Sequence, residues 1–121
     1  MQNALIIDDD SDLCYLLREV FRSNNIEALI APSLSEAKIL LHNYSPTIIV
    51  LDNTLPDGMG FDFLPYLKSR NKKSEIIFIT GDYDSNQQDY SAPEISHSLH
   101  KPFSINAFKK ILENILAEPG K

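Results

Sequence analysis

The chain has a single cysteine, Cys14. That excludes an intrachain disulfide or a multi-cysteine metal site, and it suits a reducing compartment. Cys14 itself reads as a small, semi-apolar residue on the flank of a helix. Glycine is scarce, with four against seven prolines, which excludes collagenous and glycine-rich low-complexity chains. No apolar run approaches the length of a membrane span, and the opening "MQNALII" has neither a basic n-region nor a long h-region. The expectation is a cytoplasmic protein without membrane contact. Basic excess is missing too: the formal net charge of −6 repels phosphate backbones and argues against direct nucleic-acid binding. Lys68, Arg70, Lys72 and Lys73 do gather in "KSRNKKSE" (68–75), but cations at a helix end are what its dipole favours.

What remains has ordinary globular proportions. A chain of 121 residues, 43% apolar and 23% charged, suffices for one domain with a real core and is too short for two. Residues 1–121 are therefore expected to form a single domain, its core spanning about 3–117. No internal repeat, linker or low-complexity tract interrupts it.

Apolar runs bounded by turn residues recur: "ALII" (4–7), "IEALIA" (26–31), "TIIVL" (47–51), "EIIFIT" (75–80) and a weaker "ISHSLH" (95–100). They read as strands. The third and fourth are almost unbroken Ile- and Val-rich runs, the pattern of strands covered on both faces in a parallel sheet. Helical stripes lie between them. Leu13, Leu16, Leu17, Val20 and Phe21 form one, and Ala37, Leu40, Leu41 and Tyr44 form the next after "SLSE" (33–36), where Ser33 and Glu36 have capping-box spacing. Phe108, Ile111, Leu112, Ile115 and Leu116 form the last, after Ser104 as N-cap. Pro65 interrupts "FDFLPYLK" (61–68); proline is tolerated in a first turn, so this helix is predicted to start near Gly60 or Phe61. The polar stretch "GDYDSNQQDYSAPE" (81–94) leaves room for only a short helix.

Five strands alternating with helices give (βα)5, a doubly wound parallel α/β sheet with helices on both faces. In such sheets chemistry collects outside the carboxyl ends of the strands. Reading the strand ends here gives Asp8, Asp9 and Asp10, then Asp52, then Thr80 and Gly81, then Lys101. Crowded carboxylates repel one another, and an all-oxygen ligand set suits Mg2+, which retains water positions and uses one or two carboxylates with a phosphate. An ionised aspartate beside a cation, a lysine and a hydroxyl can also act as a nucleophile toward phosphorus and form an acyl phosphate. Taken singly, a strand-end Asp is usually a helix cap and a lysine before proline is usually solvated. Their joint placement on four strand ends is what points to a site.

In these residues the chain resembles the receiver domains of two-component response regulators. "LIIDDD" (5–10), "TIIVLDNTLPDGMGFDFL" (47–64), "IIFITG" (76–81) and "HKPF" (100–103) occur in that family's order and near its spacings, from about Asn3 to Leu116. The resemblance implies a flavodoxin-like sheet of order 2-1-3-4-5. It implies Asp52 as phosphoacceptor, supplied by a histidine kinase or phosphotransfer protein. It implies an Mg2+ site of Asp9 directly, Asp8 largely through water, Asp52, and the backbone carbonyl of Thr54. Lys101 then pairs with the phosphoryl group, Thr80 turns toward it after phosphorylation, and Thr54 and Asp82 tune its lifetime. The Lys101–Pro102 peptide is often cis in the family. Asp10, just past the acidic pair, is better read as a helix N-cap or first-turn acid than as a ligand.

One departure stands out. Family members commonly carry Tyr or Phe three residues before the lysine, and here that residue is Ser98; "SAPEISHS" (91–98) also lacks the usual Gly-Ala, and neither Tyr83 nor Tyr90 is at the matching position. His97 and His100 are spaced for opposite sides of a short strand rather than for a metal.

The leading expectation is thus a phosphorylatable receiver, not a dedicated enzyme beyond phosphotransfer and slow self-dephosphorylation, acting on an unknown downstream protein or effector. Two alternatives stand beside it. One is a receiver-like interaction module with impaired switching, suggested by Ser98. The other is a small aspartyl-phosphate phosphatase, against which Thr54 stands where such hydrolases resembling the haloacid-dehalogenase group carry a second Asp. Only "AEPGK" (117–121) follows the last predicted helix, so the expectation is a receiver acting alone or one cut from a longer regulator. Dimerisation through the fourth strand–helix region is left open.

Overall fold

The computed structural model describes residues 2–81 and 90–117. Their order is β1 (Asn3–Ile7), α1 (Ser11–Ser23), β2 (Glu27–Ala31), α2 (Leu34–Leu41), β3 (Ile48–Asp52), β4 (Thr54–Leu55), β5 (Gly58–Met59), α3 (Gly60–Arg70), β6 (Glu75–Thr80), β7 (His97–His100) and α4 (Ile105–Ala117). Five strands pair in parallel in the order β2-β1-β3-β6-β7, which is 2-1-3-4-5 among the principal strands. The remaining two, β4 and β5, form a small antiparallel hairpin that the sequence periodicity did not signal, because two-residue strands carry no period. The short helix expected within 81–94 falls largely on 82–89, outside the described residues, and residues 90–94 are not helical.

Side-chain alternation along the strands splits the core into two halves. Ala4, Ile6, Ile48, Val50, Ile77 and Ile79 face α1 and α4, whose Leu17, Phe21, Phe108 and Leu112 close one side. Leu5, Ile7, Ile49, Leu51, Ile76 and Phe78 face α2 and α3, whose Ala37, Leu41, Phe63, Leu64 and Leu67 close the other. All five residues of β3 are buried, as a central strand covered on both faces requires.

Two helical stripes are narrower than their sequence periods suggest. Leu16 is 51% exposed and Leu116 36% exposed, while Cys14 is fully buried instead of lying on a flank. The α1 stripe is rotated so that Cys14, Leu17, Val20 and Phe21 point inward. Helix α3 does start at Gly60, but Pro65 is in its second turn, not its first. Pro65 withholds the N–H that the Phe61 carbonyl would accept, and buried Phe63, Leu64 and Leu67 hold the helix in place regardless.

Capping follows the sequence closely. The Ser33 hydroxyl accepts from Glu36 N at 3.2 Å and the Ser104 hydroxyl from Ala107 N at 3.1 Å. The cations at the end of α3 serve local structure: Lys68 Nζ donates to the Ser74 carbonyl at 2.7 Å, and Arg70 Nη2 to the Leu41 carbonyl at 3.1 Å.

Candidate functional site at the carboxyl edge of the sheet

Parallel register brings the ends of β1, β3, β6 and β7 to one edge. Ile7 pairs with Leu51 and Asp52 with Ile79, so the residues just beyond β1 lie beside the end of β3. Thr80 ends β6, and its carbonyl accepts Lys101 N at 2.7 Å, which draws the chain leaving β7 back across that edge. The Lys101–Pro102 peptide is cis. A cleft of about 620 Å3 results, lined by Asp9, Asp10, Leu13, Asp52, Thr54, Gly81, Lys101, Pro102 and Phe103.

Three carboxylates meet there. Asp8, Asp9 and Asp52 each offer an oxygen, all within 4.8 Å of one another, with Asp8 and Asp52 buried and Asp9 exposed. Among the described residues Lys101 is the cation that meets them, its Nζ lying 3.2 Å from Asp8 Oδ2 and 3.5 Å from Asp52 Oδ2. Asp8 Oδ1 accepts from Asp10 N at 2.9 Å, whereas buried Asp8 Oδ2 faces the ammonium without an aligned hydrogen bond. One lysine against three carboxylates leaves excess negative charge in a poorly solvated pocket, a costly arrangement without a further cation.

The titration behaviour follows from this. Burial, then the neighbouring Asp8 carboxylate, pushes the Asp52 carboxyl up to about 7, against the opposing pull of Lys101. Burial raises Asp8 too, moderated by the Asp10 amide and Lys101. Burial alone would lower Lys101, but Asp8 and Asp52 more than offset it, so the ammonium is held. Three convergent carboxylates, one of them with a buried oxygen that no hydrogen bond satisfies beyond its ion pair with Lys101, offer the all-oxygen donor set that fits a hard divalent cation.

Asp10 does something different from its neighbours. It is the N-cap of α1, and its Oδ1 accepts from Leu13 N at 3.2 Å. The other residues singled out by sequence are distributed as follows. Thr54 lines the cleft from the exposed side of the hairpin; Thr80 is half-buried at the strand end and is not among the cleft's lining residues. His97 and His100 fall on opposite faces of β7, one half-buried and one exposed. Ser98 is exposed and pairs in register with Phe78. Tyr90 packs edge-on to Phe61 at 5.2 Å and tilted to Phe78 at 6.0 Å, while Asp82 and Tyr83 lie outside the described residues.

Asn53 escaped the sequence reading, as did the close approach that Gly60 permits. Asn53 is fully buried; its carbonyl accepts from Gly60 N at 2.8 Å and its Oδ1 from Phe61 N at 2.9 Å, so it caps α3 from the position after Asp52. Gly60 is the counterpart of that closeness, because a Cβ there would overlap the Asp52 carbonyl and lie 3.0 Å from Leu51 Cγ. The "DN…GF" spacing could have signalled a helix start folded back on a strand end, but only with that turn in view.

This fold and edge define a class that sequence comparison names. The response regulator receiver domain family matches residues 4–113, and the chain belongs to that family. The chain is 38% identical over 81 residues to the transcriptional regulatory protein CitB of Klebsiella pneumoniae, a match covering 65% of this chain and 35% of that protein. It is 25% identical over 117 residues to sporulation initiation phosphotransferase F of Bacillus subtilis, covering 95% of this chain and 94% of that one. A two-component response regulator from Clostridium difficile superposes with a TM-score of 0.84 at 21% identity over 100% of both chains, which speaks to fold. Among the described residues no helix is long and apolar enough to cross a membrane.

Proposed function

We propose that this receiver stores a signal as an acyl phosphate on Asp52, with Mg2+ held by Asp9, Asp52 and the Thr54 carbonyl, and by Asp8 largely through water. The observation that carries the reading is the convergence of Asp8, Asp9 and Asp52 within 4.8 Å, with the Lys101 ammonium 3.2 Å from Asp8 and 3.5 Å from Asp52. Bound Mg2+ supplies the positive charge that keeps Asp52 ionised and neutralises phosphoryl oxygens. An Asp52 carboxylate oxygen attacks phosphorus; the new O–P bond forms as the donor's P–N bond breaks, and the donor imidazole leaves with that electron pair. Lys101 faces the same oxygens and stabilises the charge that the transferred group brings in. Asp8 holds Lys101 in place, through the 3.2 Å ion pair.

The donor is proposed to be a histidine kinase or phosphotransfer protein, and the recipient of the signal a downstream protein or effector domain. Thr80, at the end of β6, is proposed to reach the phosphoryl group after its arrival. We treat residues 1–121 as one receiver unit. Its chemistry is confined to accepting and slowly losing phosphate.

The test is direct. Incubated with Mg2+ and acetyl phosphate, the protein is expected to gain the mass of one phosphate, and Asp52→Asn is expected to gain none. Labelling that survives in Asp52→Asn would place the acceptor elsewhere. The non-switching alternative draws on Ser98 in place of an aromatic. Beryllofluoride with Mg2+ separates the two: amide shifts spreading from the cleft into β7 and α4 mark a switch, and shifts confined to the cleft mark a module that does not switch.

A further inference from the structure

Asp57 stands outside the site just described, yet both of its carboxylate oxygens accept hydrogen bonds from backbone amides of a different element. It occupies the tip of the hairpin formed by β4 and β5, where Thr54 pairs with Met59 and Leu55 with Gly58. Its Oδ1 accepts from Leu34 N at 2.9 Å and its Oδ2 from Ser35 N at 3.0 Å. These are the first two amides of α2, which have no acceptor within their own helix. Ser33 already serves the third, Glu36 N, so Asp57 completes the cap from 22 and 23 residues away.

The contact is built from both sides. Leu34 reaches over the hairpin, its Cδ1 lying 3.0 Å from where a Cβ on Gly58 would stand. Leu55 is buried in the core half that also holds Ala37 and Leu41 of α2. The hairpin is therefore pinned at its tip by a two-oxygen clamp and beneath by Leu55. Its opposite end is Thr54, three residues before the clamp and on the wall of the cleft. Asp57 itself is exposed, so its removal opens no cavity in the core.

The geometry points to Asp57 as a positioning residue for the phosphoryl site: by clamping the hairpin to the start of α2, it fixes the backbone of Thr54 at the cleft and thereby sets the affinity for Mg2+. This inference rests on the proposed metal site. Groups that orient a ligand without touching the metal commonly change its affinity by about tenfold or more when removed. Linkage also requires the reverse effect, so a cation bound at the cleft must tighten the clamp by the same factor that the clamp tightens the cation.

Three measurements on the full chain test it, with MgCl2 alone as the probe. Calorimetric titration of wild type, Asp57→Ala and Asp57→Asn is expected to show Mg2+ binding weakened roughly tenfold in Asp57→Ala and less in Asp57→Asn, which retains one acceptor oxygen. Acetyl phosphate labelling of Asp57→Ala is expected to be slow at low Mg2+ and to recover at saturating Mg2+. Hydrogen exchange of the Leu34 and Ser35 amides in wild type is expected to slow on adding Mg2+. A purely structural cap would lower the melting temperature of Asp57→Ala and leave its Mg2+ affinity and the wild-type exchange rates unmoved, which overturns the clamp while the metal site stands. A wild type that binds no Mg2+ overturns both.

Discussion

Asp52 is buried for a purpose that works against the stability of the fold. Its carboxyl is raised from 3.8 to about 7 by burial and by Asp8, so the folded state holds that proton more tightly than the unfolded chain does. For a raised group, the contribution to stability is fully present below the unfolded value and is lost as pH rises through the folded one. Without metal, Asp52 therefore costs stability above neutral pH. Asp52→Asn is expected to melt higher than wild type at pH 8 without Mg2+, by about 1–2 kcal/mol once screening by the open cleft is allowed for, and by much less near pH 4. Saturating Mg2+ should close the gap by stabilising wild type alone. Circular dichroism melts at the two pH values read this out, and an equal or lower melting temperature for Asp52→Asn at pH 8 would contradict it. Asp8 and Asp52 were legible because each follows directly on an apolar run, and Asp9 and Lys101 because they stand at the ends of strands in the same sheet. Asn53 and Asp57 were not, since each acts through backbone amides of a helix that begins 7 to 23 residues away in sequence.

At the scale of elements, α3 begins so close to β3 that its first residue has no room for a side chain. Gly60 opens α3 directly against the carbonyl of Asp52. Gly60→Ala has to push the helix start away from the strand end, at a cost of about 1–3 kcal/mol typical of overpacking. Urea denaturation should show that loss, together with slower phosphate uptake from acetyl phosphate; a variant as stable as wild type would mean that the turn yields freely. The principal strands and their order were readable from Ile- and Val-rich runs and from the family resemblance. Helix faces were less so: Leu16 and Leu17 share one sequence period, and only packing against β1 and β2 chose Leu17 for the interior. The start of α3 falls at Gly60 as the sequence predicts, held by Asn53 through the amides of Gly60 and Phe61, and this start leaves Pro65 in the second turn rather than the first.

At the scale of the whole molecule, the chain spans about a third of the length of the curated regulator CitB and nearly all of phosphotransferase F. The two core halves share one sheet, so loosening on either side reaches the same strand ends. Cys14 sits in the half closed by α1 and α4, buried on the inward face of α1, with its Sγ donating to the Asp8 carbonyl at 3.2 Å. Burial, reinforced by Asp8, pushes its thiol up to about 12. In the closed molecule it is neither ionised nor reachable, so an alkylating reagent can modify it only when α1 lifts from the sheet. The lone thiol is thus a clock for that opening. Its alkylation should be slow in native buffer, complete in urea, and slower still with Mg2+ present, and native labelling at the rate of a free thiol would show that the helix does not stay down. A chain with one cysteine and no tryptophan carries, without engineering, a time-resolved reporter hydrogen-bonded to the backbone of Asp8, at the edge where the aspartates gather.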